Sequence, residues 1–349
     1  MLRLGSTGAA VAEVCARLAH LGLLDDNSGT AVATNIYDEH VVDAVRAFQQ
    51  ERGITVDGLV GPETFRRLDE ARWQLGDRVL SFTAGHLMVG DDVTELQRRL
   101  NQLGFNAGRP DGIFGPAVDL ALREFQRGVG VSADGTCALD TLRAFERLSR
   151  SIVGGDAGAL REHASLASLR TGIADKVIVI DPGESVHPEL TYAICVRIEG
   201  RLAALGTQVL LTRPESPVER KTQSMHAEFA NNMDAHIVIS LHLDHVESVK
   251  PNGISVYYFG SPNGGNHSTG GRILAELINE ELTSRTDRKD CLIHPRTWDL
   301  LRFTQMPTVR IELGYMSNVG DAKRLTSEAF HDAVAEGVVA ALTKFCSPR

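Results

Sequence analysis

The sequence predicts a multidomain protein: two small all-α three-helix repeats, then an α/β domain built on a mostly parallel twisted sheet. Three observations carry this. The chain has 349 residues, more than one ordinary core accommodates. Its N-terminal part repeats itself. From Lys176 onward the texture changes to short apolar runs alternating with helical segments.

The repeat is explicit. Phe48-Gln49 followed by Asp57-Gly58 recurs, at the same spacing, as Phe125-Gln126 followed by Asp134-Gly135. Upstream of each copy lies a helical stretch ending in Leu-Gly, Val11 to Gly22 and Val93 to Gly104. Val93, Leu96, Leu100 and Leu103 recur at helical spacing. Downstream of each is a helix start, at Pro62 and near Leu139; a proline suits a first helical turn. The Asp-Gly pairs are turn formers. Residues 1–75 and 85–148 therefore read as two compact units, in which Phe48, Phe125 and the glycines are core and turn residues rather than ligand contacts. The first copy carries extra residues from Asp25 to Glu39, and residues 149–175, rich in Gly, Ser and Ala, read as a linker.

Hydrophobic residues make up 43% and charged residues 23%, the composition of a globular protein, and no apolar run is long enough to span a bilayer. A net charge of −9 argues against nonspecific binding to nucleic acid or to an anionic membrane surface. Cys15, Cys137, Cys195, Cys291 and Cys346 are scattered and odd in number, which points to free thiols in a reducing compartment rather than to a disulfide framework. The chain opens directly into an amphipathic pattern without a signal-peptide pattern, so a cytoplasmic location is the expectation.

In residues 176–349, strands are expected at Val177–Ile180, Val209–Leu211, Ile237–Ser240, Ile254–Phe259 and Val309–Ile311. Helices are expected over Leu190–Leu205, His226–Asn232, Gly271–Leu282 and Ala329–Phe345. Such alternation implies a largely parallel sheet with helices on both faces and its chemistry beyond the carboxyl strand ends. Three of those ends are polar: Asp181-Pro182-Gly183-Glu184, Ser240-Leu241-His242-Leu243-Asp244-His245, and Arg310-Ile311-Glu312-Leu313-Gly314. Carboxylates and imidazoles gathered at one sheet edge are what a zinc hydrolase needs: a few ligands, an open position and a base.

These residues carry a resemblance. The two N-terminal copies resemble the peptidoglycan-binding domain that accompanies many wall hydrolases. Asp181-Pro182-Gly183, Leu211-Thr212-Arg213, Ala230-Asn231, Ser240-Leu241-His242, Met306-Pro307 and Glu312-Leu313-Gly314-Tyr315-Met316-Ser317-Asn318 follow, in order, the zinc-dependent N-acetylmuramoyl-L-alanine amidase domain. That family holds zinc with a His after Asp-Pro-Gly, a Glu at the start of the next helix and the His of Ser-Ile-His, and uses a Glu in the last strand as base.

Here Glu184 stands at the first His position, His187 aligns with the family's Glu, and the intervening glycine-rich loop is nearly absent. His242 and Glu312 match directly; Asp244 replaces the usual Asn and His236 the usual Asp. Either Glu184 and His187 have exchanged ligand types and form, with His242, a rebuilt zinc site in which Glu312 is the catalytic base, or the metal site is degraded and these residues form a polar edge.

The full arrangement, with Thr297-Trp298-Asp299-Leu300-Leu301-Arg302 before the final strand, resembles an actinobacterial regulatory branch of the amidase family. That resemblance implies a cytoplasmic pseudoenzyme that stimulates the UDP-N-acetylglucosamine enolpyruvyl transferase (MurA) of peptidoglycan synthesis under Ser/Thr kinase control. Peptidoglycan fragments or precursors are further partners it suggests. The alternative is an active zinc-dependent amidase cutting the glycan–peptide amide bond.

Overall fold

The computed structural model describes residues 1–24, 36–149, 164–184, 187–215, 221–261 and 267–348. The chain divides into two compact units, 1–161 and 162–349.

The first unit holds both repeats. Repeat one is α1 (Ala9–His20), α2 (Glu39–Arg52) and α3 (Pro62–Ala71); repeat two is α4 (Asp91–Gln102), α5 (Pro116–Val129) and α6 (Leu139–Ser149). Each closes over its own core, Val11, Leu18, Val45, Phe48 and Leu68 in one, Val93, Leu96, Leu100, Phe125 and Phe145 in the other. Of the extra Asp25–Glu39 stretch, residues 25–35 lie outside the described residues.

The repeated Gln-Asp-Gly signature has a physical cause. Gln49 Nε2 donates to Asp57 Oδ1 at 2.8 Å and to Thr64 Oγ1 at 3.1 Å, while its Oε1 accepts from the Gly58 amide at 2.9 Å. Gln126 makes the same bonds to Asp134 Oδ1 (3.0 Å), Thr141 Oγ1 (3.1 Å) and the Gly135 amide (2.9 Å). Both glutamines are buried, so the amide must be fully satisfied. Gly58 and Gly135 sit at φ 74° and 71°, the left-handed region that glycine adopts without penalty. A third copy is less visible in the sequence: Gln97 donates to Asp111 Oδ1 and accepts from the Gly112 amide.

The second unit is a six-stranded sheet in the order β2-β1-β3-β6-β4-β5, from β1 (Val177–Pro182), β2 (Gln208–Leu211), β3 (Ile237–Asp244), β4 (Ile254–Phe259), β5 (Asp290–Arg296) and β6 (Thr308–Tyr315). β1, β2, β3 and β6 are mutually parallel; β4 runs antiparallel to β6 and parallel to β5. The main core gathers Ile178, Ile180, Ile239, Val256 and Ile311 with residues of α7 (Pro188–Ala203), α9 (Thr269–Thr286) and α12 (Glu328–Cys346). On the alternate face Val179 and Val238 pack with Ala230 and Phe229 of α8 (Gln223–Asn232). Between β5 and α12 lie two short helices, α10 (Asp299–Phe303) and α11 (Val319–Leu325).

Two sequence expectations change. The latter part of the 149–175 stretch, read as linker, packs: Leu166, Leu169 and Ile173 are buried in the α/β core, and the Gly172 amide donates to the Cys346 carbonyl. Residues 150–163 lie outside the described residues. β5 was not expected at all, because Asp290, His294, Pro295 and Arg296 mask its pattern; it forms the sheet edge, where proline is tolerated.

Candidate active site

Alternation along the strands and the observed register place Asp181, Ser240, His242, Arg310 and Glu312 on one face at the carboxyl ends of β1, β3 and β6. Asp181 pairs with Ser240, Ser240 with Arg310, and His242 with Glu312 across neighbouring strands.

Asp181 is the hub of the first half. Its Oδ1 accepts from Thr212 Oγ1 at 2.5 Å and lies 2.9 Å from His226 Nδ1; its Oδ2 accepts from Ser240 Oγ at 2.5 Å. Burial would raise this carboxyl, but the hydrogen bond and charge of His226, with help from the Ser240 hydrogen bond, hold it well below the usual carboxylate range. Ser240 Oγ lies 2.8 Å from His242 Nε2. Since the serine hydrogen goes to Asp181, the ring's Nε2–H donates to the serine oxygen, which fixes the tautomer. Burial first, and then the Arg310 charge, push His242 well below its ordinary value, so the ring is neutral. It lies directly under Gly183, where any Cβ would overlap it. Arg213 fastens the same turn, donating to the Pro182 carbonyl at 2.6 Å and the Pro188 carbonyl at 3.1 Å.

The second half is built on Arg310. Its Nε and Nη2 both donate to Glu312 Oε1, at 2.8 and 2.5 Å, and its guanidinium lies 4.5 Å from the Trp298 ring centre. Glu312 Oε2 is buried without a hydrogen-bond partner among the described residues. Burial raises the Glu312 carboxyl, and Arg310 only partly offsets it. Trp298 is carried on a segment latched to α8: Ser224 Oγ donates to Asp299 Oδ2 at 3.0 Å, and Asn231 Nδ2 donates to the Phe303 carbonyl at 2.8 Å.

The expected zinc ligands Glu184, His187 and His242 are not gathered around one point; no group of three or more His, Cys, Asp or Glu among the described residues could hold a metal. Glu184 is exposed, His187 pairs with Glu189 at 3.1 Å beside the start of α7, and His242 is turned toward Ser240. Gly183 lies against the His242 ring and covers it. The residues present therefore do not fit a zinc ion in this arrangement. His236 and Asp244 serve the backbone instead, accepting from the Val177 amide and the His245 amide.

Sequence reading missed Thr212, His226, Arg213, Arg310 and Trp298 as members of this cluster. Only Arg310 left a direct signal, standing two residues before Glu312 on a strand and so on its face.

The N-acetylmuramoyl-L-alanine amidase family model matches residues 179–344, and the peptidoglycan-binding domain model matches residues 7–68 and 89–145. The chain is 40% identical to the N-acetylmuramoyl-L-alanine amidase CwlM of Mycobacterium tuberculosis, over 98% of this chain and 89% of that protein. It is 23% identical to the amidase LytC of Bacillus subtilis, over 49% of this chain and 35% of LytC. Among solved structures, the amidase Ami1 of Mycobacterium smegmatis aligns over 50% of this chain and 99% of its own, with 19% identity and a TM-score of 0.45. Among the described residues no helix is long and apolar enough to cross a membrane. The chain belongs to the N-acetylmuramoyl-L-alanine amidase family, with the CwlM-like arrangement of two peptidoglycan-binding repeats followed by an amidase domain.

Proposed function

We propose that this chain is a cytoplasmic regulator of peptidoglycan precursor synthesis that works by binding rather than by turnover, and that the enzyme it stimulates is the UDP-N-acetylglucosamine enolpyruvyl transferase. The observation that carries the loss of turnover is the Arg310–Glu312 pair. A general base must present a carboxylate oxygen to water. Here Oε1 holds two guanidinium hydrogen bonds and Oε2 is buried. His242, whose Nε2 is spent on Ser240, is in no position to share a metal with Glu184 and His187. What survives is the shape of the fold and two intact repeats, surfaces suited to recognition. The partner enzyme and its kinase control rest on the family resemblance.

The test is a titration of the host's own transferase with the full-length protein. A saturating rise in activity, retained by Glu312→Gln, is expected. No rise across the titration, with and without kinase treatment, would refute the regulatory role.

A second reading, hydrolysis of the amide between the muramoyl group and L-alanine, is favoured by the name its 40% identical relative carries and by the retention of Glu312. Release of L-alanine-terminated peptides from muropeptides, abolished by Glu312→Gln, would establish it in place of the first.

A further inference from the structure

Beside the altered site, β4 and β5 add Tyr257, His294 and Arg296, side chains that neither reading uses. Tyr257 faces Arg310 on one neighbouring strand and His294 on the other, and Arg296 follows His294 by two residues, so all four share a face. Trp298 closes the group: its ring centre lies 4.8 Å from that of Tyr257, and the Tyr257 and His294 centres lie 5.7 Å apart. The Arg296 guanidinium stands 5.7 Å from the Tyr257 ring centre and 5.9 Å from that of Trp298. All of these side chains are half-buried, with part of their surface open to solvent.

The charges are unbalanced. Arg310 is answered by Glu312. Arg296 donates only to the Pro295 carbonyl and has no carboxylate partner among the described residues. A half-buried arginine without an acid is notable in a chain of net charge −9. Stacking on aromatic rings occupies the guanidinium face and leaves its N–H edge in the fork that matches two oxygens of a phosphate. The aromatic side chains beside it offer surface to a ring.

We propose that Arg296, Tyr257, His294 and Trp298 form a binding site for a phosphate ester carried on a ring, a sugar phosphate or a nucleotide. The N–H edge of Arg296 takes the phosphate. The ring lies against the exposed parts of Trp298, Tyr257 and His294. The site does not depend on whether the chain regulates or hydrolyses.

The test titrates the full-length protein with UMP, glucose 1-phosphate, inorganic phosphate and uridine, by tryptophan fluorescence and by calorimetry. Trp298 is one of two tryptophans, so a ligand beside it changes a large share of the signal. Saturable binding of UMP or glucose 1-phosphate, weaker binding of inorganic phosphate and none of uridine is expected. A preference for UMP assigns a nucleotide and the reverse a sugar phosphate. Arg296→Gln should weaken binding by about tenfold or more, the loss of a charge-assisted hydrogen bond, with Arg296→Lys between. Trp298→Phe should lose most of the fluorescence change and weaken calorimetric binding less than Arg296→Gln does, since a smaller aromatic surface remains for the ring. No saturation by any phosphate probe, or equal binding by the Arg296→Gln protein, would overturn the proposal.

Discussion

The two halves of the carboxyl-end cluster are built from similar residues and behave differently. Around Asp181 both carboxylate oxygens are taken by Thr212, His226 and Ser240, and His242 completes the chain. Around Glu312 one oxygen carries both guanidinium bonds and the other has no partner among the described residues. The first half is a satisfied network that holds β1, β2 and β3 in register. The second is a carboxylate kept in the place of a base, with an arginine set against it. Retention of a family residue such as Glu312 is therefore poor evidence of retained chemistry; the partners decide.

The largest expected effect tests the first half. Asp181→Ala leaves His226, Thr212 and Ser240 buried without their acceptor, and should cost on the order of 3–5 kcal/mol in urea denaturation, as for breaking a buried pair from one side. A cost no larger than that of a surface substitution would mean the network does not hold the sheet edge together.

Arg310→Met comes next. It leaves the Glu312 charge buried and unanswered, and about 2–3 kcal/mol should be lost at neutral pH. Glu312→Gln removes the charge and should cost less than about 1 kcal/mol, because one oxygen already lacked a partner. The sign with pH follows from the raised Glu312 carboxyl. The folded state holds its proton more tightly than the unfolded chain, so stability falls as pH rises above the ordinary carboxyl value. Without Arg310 that window widens, and the Arg310→Met deficit should shrink as pH is lowered toward 5. A pH-independent deficit would show that the guanidinium acts by packing on Trp298 rather than by charge.

A smaller effect is expected from His242. Its folded value is depressed below the ordinary 6.5. Below that pH the unfolded chain takes a proton that the folded chain refuses, so stability declines as pH falls from 7 to 5. His242→Asn should flatten that slope, which a thermal melt series would read directly. An unchanged slope would place the titration elsewhere.

How much of this was legible depends on how local the cause is. The repeats could be read because each Gln-Asp-Gly set is a short-range network, closed within a few turns of chain and written twice. The sheet was legible where strands are buried on both faces, as in Val177–Ile180 and Ile237–Ile239. β5 was not, because an edge strand with Pro295 and polar residues has no period to read. Leu292 even takes a left-handed φ of 67° where the register shifts. At the site, residue types and order identified the family and the right sheet edge. The direction in which His242 turns was hidden, since it depends on how closely Gly183 approaches and on a hydroxyl whose hydrogen is spent on Asp181. Arg310 was visible two residues before Glu312, but its meaning required the salt bridge.

The most direct test of the central claim, that this sheet edge is a hydrogen-bonded polar cluster in place of a metal site, is the zinc content of the protein after equilibration with zinc and removal of the excess. The account predicts well under one zinc per chain and the same content in His242→Ala. One tightly held zinc per chain, lost in His242→Ala, would contradict it.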